Sequence, residues 1–228
     1  MHVGEDLNTP TLMVDSIRLL MPTARVIQCT DLHTPKINGV SAVFRKAIDP
    51  ERLMISRLKL FFQVGLNEPA IYLDTDMLLV SRFDPRQVLG NKRIAVCRRS
   101  FHRDTNFNTE MRGEEFAEYE GQPLGLVYPF LACSTITQNS GFWLDCLREL
   151  EKKPAKYARW YGDQEAIKLV IPCLDQSEVA YISEEIYGCL PEFAGRLRSR
   201  PILLHFKGAS RKTAMIRYST ILHKKVNV

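Results

Sequence analysis

The sequence predicts an α/β fold in which a single, mostly parallel sheet is flanked by helices. Apolar, strand-like runs alternate with amphipathic helical stretches along the chain, and this alternation is typical of parallel sheets. The 228 residues, 45% of them hydrophobic and 25% charged, suffice for one domain with a substantial core. One apolar run is broken by two carboxylates, as expected where a strand leaves an open α/β sheet.

The first hundred residues contain two predicted helices and four predicted strands. A helix over residues 10–20 has Thr9 as its N-cap. A second helix over residues 51–66 is amphipathic, with Leu58 and Phe61 among its inward residues. The predicted strands are a very short one at residues 2–3 and three apolar runs over residues 24–29, 71–73 and 93–97.

The second half of the chain begins with an irregular stretch. Residues 100–127 are polar and charged with little periodicity, so we expect them to line an acceptor site or to act as a lid. The later predicted elements are a strand over residues 130–137 that ends at Asn139-Ser140-Gly141, a strand or a strand followed by a helix over residues 142–150, a helix from Gly162 to about Val170, and strands over residues 179–182 and 202–206. The last strand delivers His205 to a strand end.

The broken apolar run reads Ile71-Tyr-Leu-Asp74-Thr-Asp76-Met-Leu-Leu-Val80. Asp74 and Asp76 are two positions apart, and residues i and i+2 of a strand point to the same side. Two carboxylates on one side of a strand end suit a hard divalent cation, which takes oxygen ligands. A surface turn capped by Asp explains only one of the two, because the apolar run resumes at Met77. Two chemistries use such a pair: sugar transfer from a nucleotide-sugar, and phosphoryl transfer onto the first Asp.

The charge is unevenly distributed along the chain. From Arg196 to the end there are nine Lys or Arg and no Asp or Glu, whereas residues 1–195 hold 22 basic and 26 acidic residues. We therefore divide the chain into a catalytic core over residues 1–195 and a basic C-terminal segment over residues 196–228. Such a segment suits phosphate, a nucleotide or an anionic membrane face, and a solvated tail without a partner explains the charge equally well.

The six cysteines are scattered, without a C-x-x-C pair or a Cys/His cluster. This spacing argues against structural zinc and against a secreted disulfide framework. The N-terminal residues lack the apolar core of a signal peptide, and no stretch approaches the length of a transmembrane helix. We therefore expect a cytoplasmic protein with free thiols, and a peripheral contact of the basic segment with the inner face of an anionic membrane.

Four motifs follow one another in the chain: IYLDTDMLL from Ile71, NSGFWL from Asn139, YGDQEAI from Tyr161 and LLHFKGASRK from Leu203. In order and spacing they resemble the glycosyltransferase family that contains glycogenin and the bacterial lipopolysaccharide galactosyl- and glucosyltransferases. The resemblance spans nearly the whole chain. It implies a GT-A (nucleotide-diphospho-sugar transferase) fold, a reaction that needs Mn²⁺ or Mg²⁺, and retention of anomeric configuration. It also implies a UDP-sugar donor, UDP-galactose or UDP-glucose, and a cell-surface glycan or glycolipid acceptor, with no role for nucleic acid.

The resemblance further implies a role for each matching position. Asp74, Asp76 and His205 would hold the metal, Arg57, Asn139, Gly208, Arg211 and Lys212 would contact the donor, and Gln164 and Asp163 would be the catalytic pair. Within that set, Gln164 would lie near the anomeric carbon, and Asp163 would bond to the donor sugar. Arg211 occupies the position where the family pattern H-x-x-G-x-x-K has Lys.

Two other functions compete with sugar transfer. A haloacid-dehalogenase-like phosphatase also has a strand ending in D-x-D and would use Asp74 as its nucleophile. That motif normally opens the chain, and a second acid is expected four residues after Asp163, where Ile167 stands. A basic adaptor that binds anionic lipid or nucleic acid through its tail would leave the acidic pair unexplained.

Overall fold

The structure, a computed structural model, describes residues 1–226 apart from the side chain of Lys225. The strands are β1 (Ile27–Thr30), β2 (Ala42–Arg45), β3 (Ala70–Leu73), β4 (Met77–Leu79), β5 (Ile94–Arg98), β6 (Phe130–Thr137), β7 (Val179–Ser183) and β8 (Leu203–His205). The helices are α1 (Asn8–Leu20), α2 (Leu53–Gln63), α3 (Pro85–Leu89), α4 (Thr109–Arg112), α5 (Leu124–Val127), α6 (Gly141–Glu151), α7 (Lys156–Arg159), α8 (Gly162–Val170), α9 (Glu184–Tyr187) and α10 (Ala209–Val226).

The strands form three small sheets. The central sheet has the order β3-β6-β5-β7, in which β6 runs antiparallel to both neighbours and β7 runs parallel to β5. Strands β1 and β2 make a parallel pair, and β4 and β8 an antiparallel one. The predicted α/β class is confirmed, but the pairing is mixed rather than mostly parallel, and the single predicted sheet is divided into three. Alternating helices and strands predict parallel pairing only where a helix makes the crossover, and β6 is instead reached through the irregular stretch after β5.

Helices cover both faces of the central sheet. On one face α2, α6 and α8 pack around Phe61, Tyr72 and Trp143, whose ring centroids lie 4.8–5.1 Å apart. Fully burying side chains of this kind contributes roughly 1.5–3 kcal/mol each. On the other face α1 and α10 pack against β4 and β8, with Leu20 and Leu222 in one apolar cluster. This layered arrangement holds the strand ends of the central sheet in fixed positions.

Most of the predicted elements are present. The structure confirms α1, α2, α8, β6 and the break between β3 and β4, although α1 begins at Asn8 after Leu7 and Thr9 is not its N-cap. Residues 142–150 belong wholly to helix α6, because Phe142, Cys146 and Leu150 recur every four residues and form its buried stripe. Strand β2 was not predicted, since its four residues are all only partly buried and show no alternation. The strand expected at residues 2–3 is reduced to one backbone hydrogen bond, from the His2 N–H to the Cys29 carbonyl at 3.1 Å.

A largely apolar cavity of about 760 Å³ lies between β1 and β3. Each of these strands is the last of its sheet on the side that faces the cavity. Helix α1 contributes Val14 and Ile17 to the walls. The two strands therefore present backbone edges that pair with no other strand within residues 1–226.

The basic C-terminal segment is part of the folded layers as far as it is described. Residues 196–226 supply β8, which pairs with β4, and α10, which packs against α1. Residues 227–228 and the Lys225 side chain lie outside the described part. Among residues 1–226, no helix combines the length and apolar character that crossing a bilayer requires.

Candidate metal centre

Asp74, Asp76 and His205 meet at the carboxyl end of β3. The Asp74 N–H donates to the Cys133 carbonyl of β6 at 3.0 Å, and the Phe206 N–H donates to the Asp76 carbonyl at 2.8 Å. His205 pairs with Met77 in the β4–β8 ladder, which sets it beside Asp76. One ligand atom from each of the three side chains lies within 4.8 Å of the others. The three predicted metal ligands therefore converge, on backbone that is tied at both aspartates.

The distances within this group leave room for a bound ion, because not every pair of side chains is close enough for a direct hydrogen bond. His205 Nε2 lies 3.3 Å from an Asp76 oxygen and 3.9 Å from an Asp74 oxygen. Lys212 Nζ lies 3.6 Å from the other Asp76 oxygen. Two carboxylates and one imidazole form a donor set that Mn²⁺ accepts readily and Mg²⁺ less readily. The residues present thus fit a divalent cation.

Arg57 of α2 joins this group to the start of α8. One guanidinium nitrogen lies 2.6 Å from an Asp74 oxygen, and another lies 3.1 Å from an Asp163 oxygen. The Asp163 carboxylate also accepts a hydrogen bond from the Gln164 N–H at 2.7 Å. Because Asp74 and Asp163 share one cation, the metal group and the start of α8 are held in a fixed relation.

The charges and the burial of the site shift the pKa values of three of its residues, Asp74, His205 and Asp163. Burial raises the pKa of Asp74, but the neighbouring Arg57 and His205 outweigh it and lower that pKa to about 2. Burial would lower the pKa of His205, but the Cys133 sulfur and the Asp76 and Asp74 carboxylates raise it to about 10. Burial raises the pKa of Asp163. Three carboxylates face three cations here: Asp74, Asp76 and Asp163 against Arg57, protonated His205 and Lys212.

Gln164 lies beside Arg99, a cation to which the sequence analysis assigned no role. Arg99 donates from Nη2 to the Gln164 side-chain oxygen at 3.1 Å and from Nε to the Tyr128 carbonyl at 2.8 Å. It follows β5 directly, so its position just beyond a predicted strand end was the available signal. Residues at such ends gather at one edge of the sheet, and this applies to Arg99 as it does to Asp74.

Asn139 is not at this site, contrary to the prediction. In the ladder between β3 and β6, Leu73 pairs with Ser134 and Ala70 with Thr137. The residues after Thr137 therefore lie at the amino end of β3, away from Asp74. There the exposed Asn139 side chain accepts a hydrogen bond from the Gly141 N–H at the start of α6. The role of Asn139 was implied by the resemblance through its position in the motif; because β6 runs antiparallel to β3, its amino end and not its carboxyl end lies at the site.

The remaining predicted donor contacts lie at the start of α10. Gly208 has a φ of +86°, a left-handed conformation that glycine adopts without strain. Lys212 approaches Asp76, as noted above. Arg211 is instead paired with Glu192 and also donates to the Lys207 carbonyl. Of the two predicted diphosphate cations, only Lys212 faces the metal group in this structure.

The stretch over residues 100–127 is more ordered than its composition suggests. It contains α4 and α5, and it is anchored by the buried Phe107 and Phe116. Both rings contact Tyr161, which immediately precedes α8. Met111 and Leu126 on the same stretch are 85% and 71% exposed. The expectation that this stretch lines an acceptor site or forms a lid stays a prediction.

Comparison with known proteins identifies the fold. No protein-family model matches the sequence, and no curated protein is similar to it. Among solved structures, a galactosyltransferase, LgtC, in complex with donor and acceptor sugar analogues superposes with a TM-score of 0.55 at 15% identity, over 97% of this chain and 94% of that one. The glycosyltransferase GlyE of Streptococcus pneumoniae TIGR4 gives a TM-score of 0.56 at 13% identity, over 99% of this chain and 62% of GlyE.

A third similar structure is a glycosyltransferase involved in glycosylation of the major capsid of PBCV-1. Its TM-score is 0.52 at 11% identity, over 86% of this chain and 99% of that one. At these identities the likeness shows a shared fold. This chain therefore has the GT-A glycosyltransferase fold that the four motifs implied.

Proposed function

We propose that this protein is a metal-dependent glycosyltransferase. It moves a sugar from a UDP-sugar, UDP-galactose or UDP-glucose, to a cell-surface glycan or glycolipid with retention of configuration. The observation that carries this proposal is the convergence of Asp74, Asp76 and His205 at a strand end in this fold. The linked pair of Asp163 and Gln164 stands beside that group, where a donor sugar would lie.

The chemistry divides among the residues of the site as follows. Asp74, Asp76 and His205 would hold the metal, Mn²⁺ or Mg²⁺, which when bound neutralises the diphosphate leaving group. Lys212 and the backbone at Gly208 contact the same diphosphate from the start of α10. These five residues bind and orient the leaving group. Their charges and dipoles are already in place where negative charge develops, so they need not reorganise during the reaction.

The transfer step itself depends on the start of α8. Gln164 lies near the anomeric carbon and stabilises charge that develops there. Asp163 hydrogen-bonds the donor sugar, and Arg57 fixes the position of Asp163 relative to Asp74. Arg211 contacts the diphosphate only if it leaves Glu192, and so it contributes less than Lys212.

The function is tested by ligand-dependent stability. A ligand that binds only the folded chain stabilises it by about 2.7 kcal/mol at a hundredfold excess over Kd, or roughly 5–10 °C in Tm for a chain of this size. We expect UDP-sugars to raise Tm by that amount with Mn²⁺ and far less with EDTA. Release of phosphate from generic phosphoesters, without a response to UDP-sugars, would support the phosphatase alternative, which no feature of the structure favours. A partner that binds equally well without Mn²⁺ would support the adaptor.

The metal assignment is tested by removing single carboxylates. Asp76→Ala and Asp74→Ala should each abolish transfer from a UDP-sugar, because each deletes a metal ligand. Glu68→Ala is the control, since the Glu68 side chain is 66% exposed, pairs with Arg25 at the surface and lies outside residues 100–127. Transfer at a normal rate by either site variant, with a normal control, would remove the metal from this position.

The basic segment gives the protein a cytoplasmic membrane-facing surface in this proposal. The outer side of α10 exposes Ile216 and Ile221 next to the basic Arg217 and Lys224. Mixed apolar and basic surfaces of this kind lie on anionic membranes, and each basic residue contributes about 1 kcal/mol. Replacing Arg217 and Lys224 by Gln should reduce binding to phosphatidylserine vesicles, most clearly at low salt, while hydrolysis of soluble UDP-sugar is unchanged.

A further inference from the structure

Two basic side chains, Arg99 and Arg112, lie at Gln164 and at the tyrosine that precedes α8, and a third, Lys207, lies just beyond β8. Arg99 donates directly to the Gln164 side chain at 3.1 Å. Arg112 lies 3.4 Å from the hydroxyl of Tyr161, three residues before Gln164. Lys207 follows His205 by two residues, at the end of β8. None of the three was assigned a role by the metal site or by the proposed donor contacts.

Arg99 and Arg112 are fixed to the same aromatic group. Tyr128 and Tyr161 are stacked, with ring centroids 5.3 Å apart and planes 20° from parallel. Arg99 is bonded to the Tyr128 carbonyl, and Arg112 approaches the Tyr161 hydroxyl and stands 5.4 Å from the Phe107 ring centroid. The two guanidinium groups are thus half-buried and held in place, which reduces the entropy lost when they bind a ligand.

These cations differ from Arg57 in lacking carboxylate partners. Within residues 1–226, no Asp or Glu oxygen lies within 4 Å of a side-chain nitrogen of Arg99, Arg112 or Lys207, whereas Arg57 has two such partners. The Glu184 carboxylate, on the helix that follows β7, already accepts the N–H groups of Ser100 and Phe101 at 2.7 and 2.8 Å.

We propose that the surface around Arg99 and Arg112, next to Gln164, binds an acidic sugar, one that carries a carboxylate or a phosphate group. This inference rests on the proposed function and specifies its substrate class. Arg99 and Arg112 are half-buried without counter-charges, which is costly, and an anionic ligand group offsets that cost; Lys207 is exposed and adds a third positive charge. Guanidinium groups bond to carboxylate and phosphate oxygens in pairs, so they select an acidic sugar over a neutral one. The acidic group belongs either to the acceptor or to the donor sugar, and both present the same chemistry; in the second case the donor is the uronate counterpart of the UDP-glucose or UDP-galactose proposed above.

The experiment compares ligands that differ only in this group. The donor arm measures the Kd of UDP-glucuronate against UDP-glucose, and of UDP-galacturonate against UDP-galactose, with Mn²⁺ present. The acceptor arm measures transfer to nitrophenyl glucuronide against nitrophenyl glucoside. We expect a preference of about tenfold or more for the acidic member in one arm, as one charge-assisted bond would give. A preference for the neutral member, or none, in both arms overturns the proposal.

Variants test whether these cations cause the preference for the acidic ligand. Arg112→Gln and Lys207→Gln should each reduce the acidic preference by about tenfold and leave affinity for UDP unchanged. Arg98→Gln is the matched control, because Arg98 adjoins Arg99 in sequence but packs on the Tyr181 ring, 4.6 Å from its centroid, and is exposed. An undiminished preference in both site variants overturns the assignment. If UDP itself does not bind with Mn²⁺, the proposed function fails as well; if UDP binds and neutral sugars are preferred, only this inference fails.

Discussion

Arg57 is the residue on which the candidate site depends most for its internal order. It is largely buried and ion-paired to both Asp74 and Asp163. Paired buried charges contribute little net stability, but removing one partner leaves the others uncompensated. Arg57 therefore matters chiefly because two carboxylates cannot remain ionised near each other without it.

We predict that Arg57→Ala lowers the free energy of unfolding by about 3–5 kcal/mol. The matched control is Arg25→Ala, which removes a surface pair with Glu68 in which both side chains are more than 60% exposed, and which should cost less than about 1 kcal/mol. Urea unfolding of both variants and of the wild type gives the comparison. Equal losses in the two variants would mean that Arg57 is not needed to balance the acids.

His205 predicts how the metal affinity depends on pH. Its pKa in the metal-free protein is raised to about 10, and a metal binds only neutral imidazole. Binding therefore releases one proton, and Mn²⁺ affinity should rise about tenfold per pH unit between pH 6 and 8. Titration calorimetry should find this slope in the wild type and in His33→Gln, an exposed control, but not in His205→Gln. An unchanged slope in His205→Gln would exclude His205 as the ligand that loses the proton.

The raised pKa of His205 also affects the stability of the metal-free protein. The direction of a pKa shift decides the pH range in which it stabilises the folded state. A raised pKa stabilises the folded state fully below the unfolded value near 6.5, and this contribution is lost as pH rises toward 10. The lowered pKa of Asp74 contributes above the unfolded value near 3.8 and is lost as pH falls toward 2. Both contributions are present together between about pH 4 and 6.5.

At the residue scale, the sequence predicted those site residues whose position depends on short-range spacing. Asp74 and Asp76 stand at a strand break that local hydrophobicity reveals, and His205 stands at the end of a short apolar run. Arg99 stands at a similar end but was assigned no role. Asn139 was misplaced, because its position depends on the direction of β6, which no local pattern encodes.

Among the elements, α8 positions the proposed catalytic pair, and its start is tightly packed. A Cβ added to Gly162 would lie 2.0 Å from the Tyr157 carbonyl oxygen and 2.9 Å from atoms of Leu150 and Met54. The preceding Tyr161 has a φ of +57°, so the chain turns sharply into the helix. Only a residue without a side chain lets α8 begin so close to α7 and α2.

We predict that Gly162→Ala is destabilising by about 1–3 kcal/mol or more, because the clash is with backbone that cannot rotate away. It should also lower turnover, since Asp163 and Gln164 follow directly. Gly195→Ala is the matched control, as a Cβ there meets nothing within 4 Å and no positive φ is required. Thermal unfolding and UDP-sugar hydrolysis should separate the two variants. A stable, active Gly162→Ala would show that α8 can shift without effect.

The elements also show where pattern alone is insufficient. Helix α8 and strand β6 were predicted within a residue or so, because Gly162 marks the start of the helix and the turn residues Asn139-Ser140-Gly141 mark the end of the strand. Helix α6 was ambiguous, since a short apolar start suits either a strand or a helix until its four-residue recurrence is seen. The mixed pairing of the sheets could not be predicted, because strand direction is decided by long-range connections.

On the scale of the whole molecule, the strands differ in how well their backbone N–H and C=O groups are protected from solvent. Strands β5 and β6 lie inside the central sheet and are almost wholly buried. Strands β1 and β3 each have an edge toward the cavity between them. Backbone groups on such edges are exposed to solvent more readily than those paired on both sides.

We predict that amide hydrogen exchange reflects this difference. Amides of β5 and β6 should exchange slowest, through global unfolding, whereas the amides of β1 and β3 that face the cavity should exchange at least about tenfold faster. Exchange followed by mass spectrometry or NMR on the metal-free protein provides the measurement. Equal protection of all four strands would mean that the cavity edges are covered in solution.

If the protein transfers sugar as proposed, the balance of three carboxylates against three cations has a consequence for the order in which its ligands bind. A pocket without net charge neither needs an ion in order to fold nor attracts one over a distance. The metal-free protein should therefore keep its fold and its stability in the presence of chelators. A divalent ion should enter together with the nucleotide, whose phosphates supply the missing negative charge, and leave with the spent nucleotide. In that case the ion would bind with each nucleotide-sugar and dissociate with each nucleotide product, and it would not stay bound to the protein between turnovers.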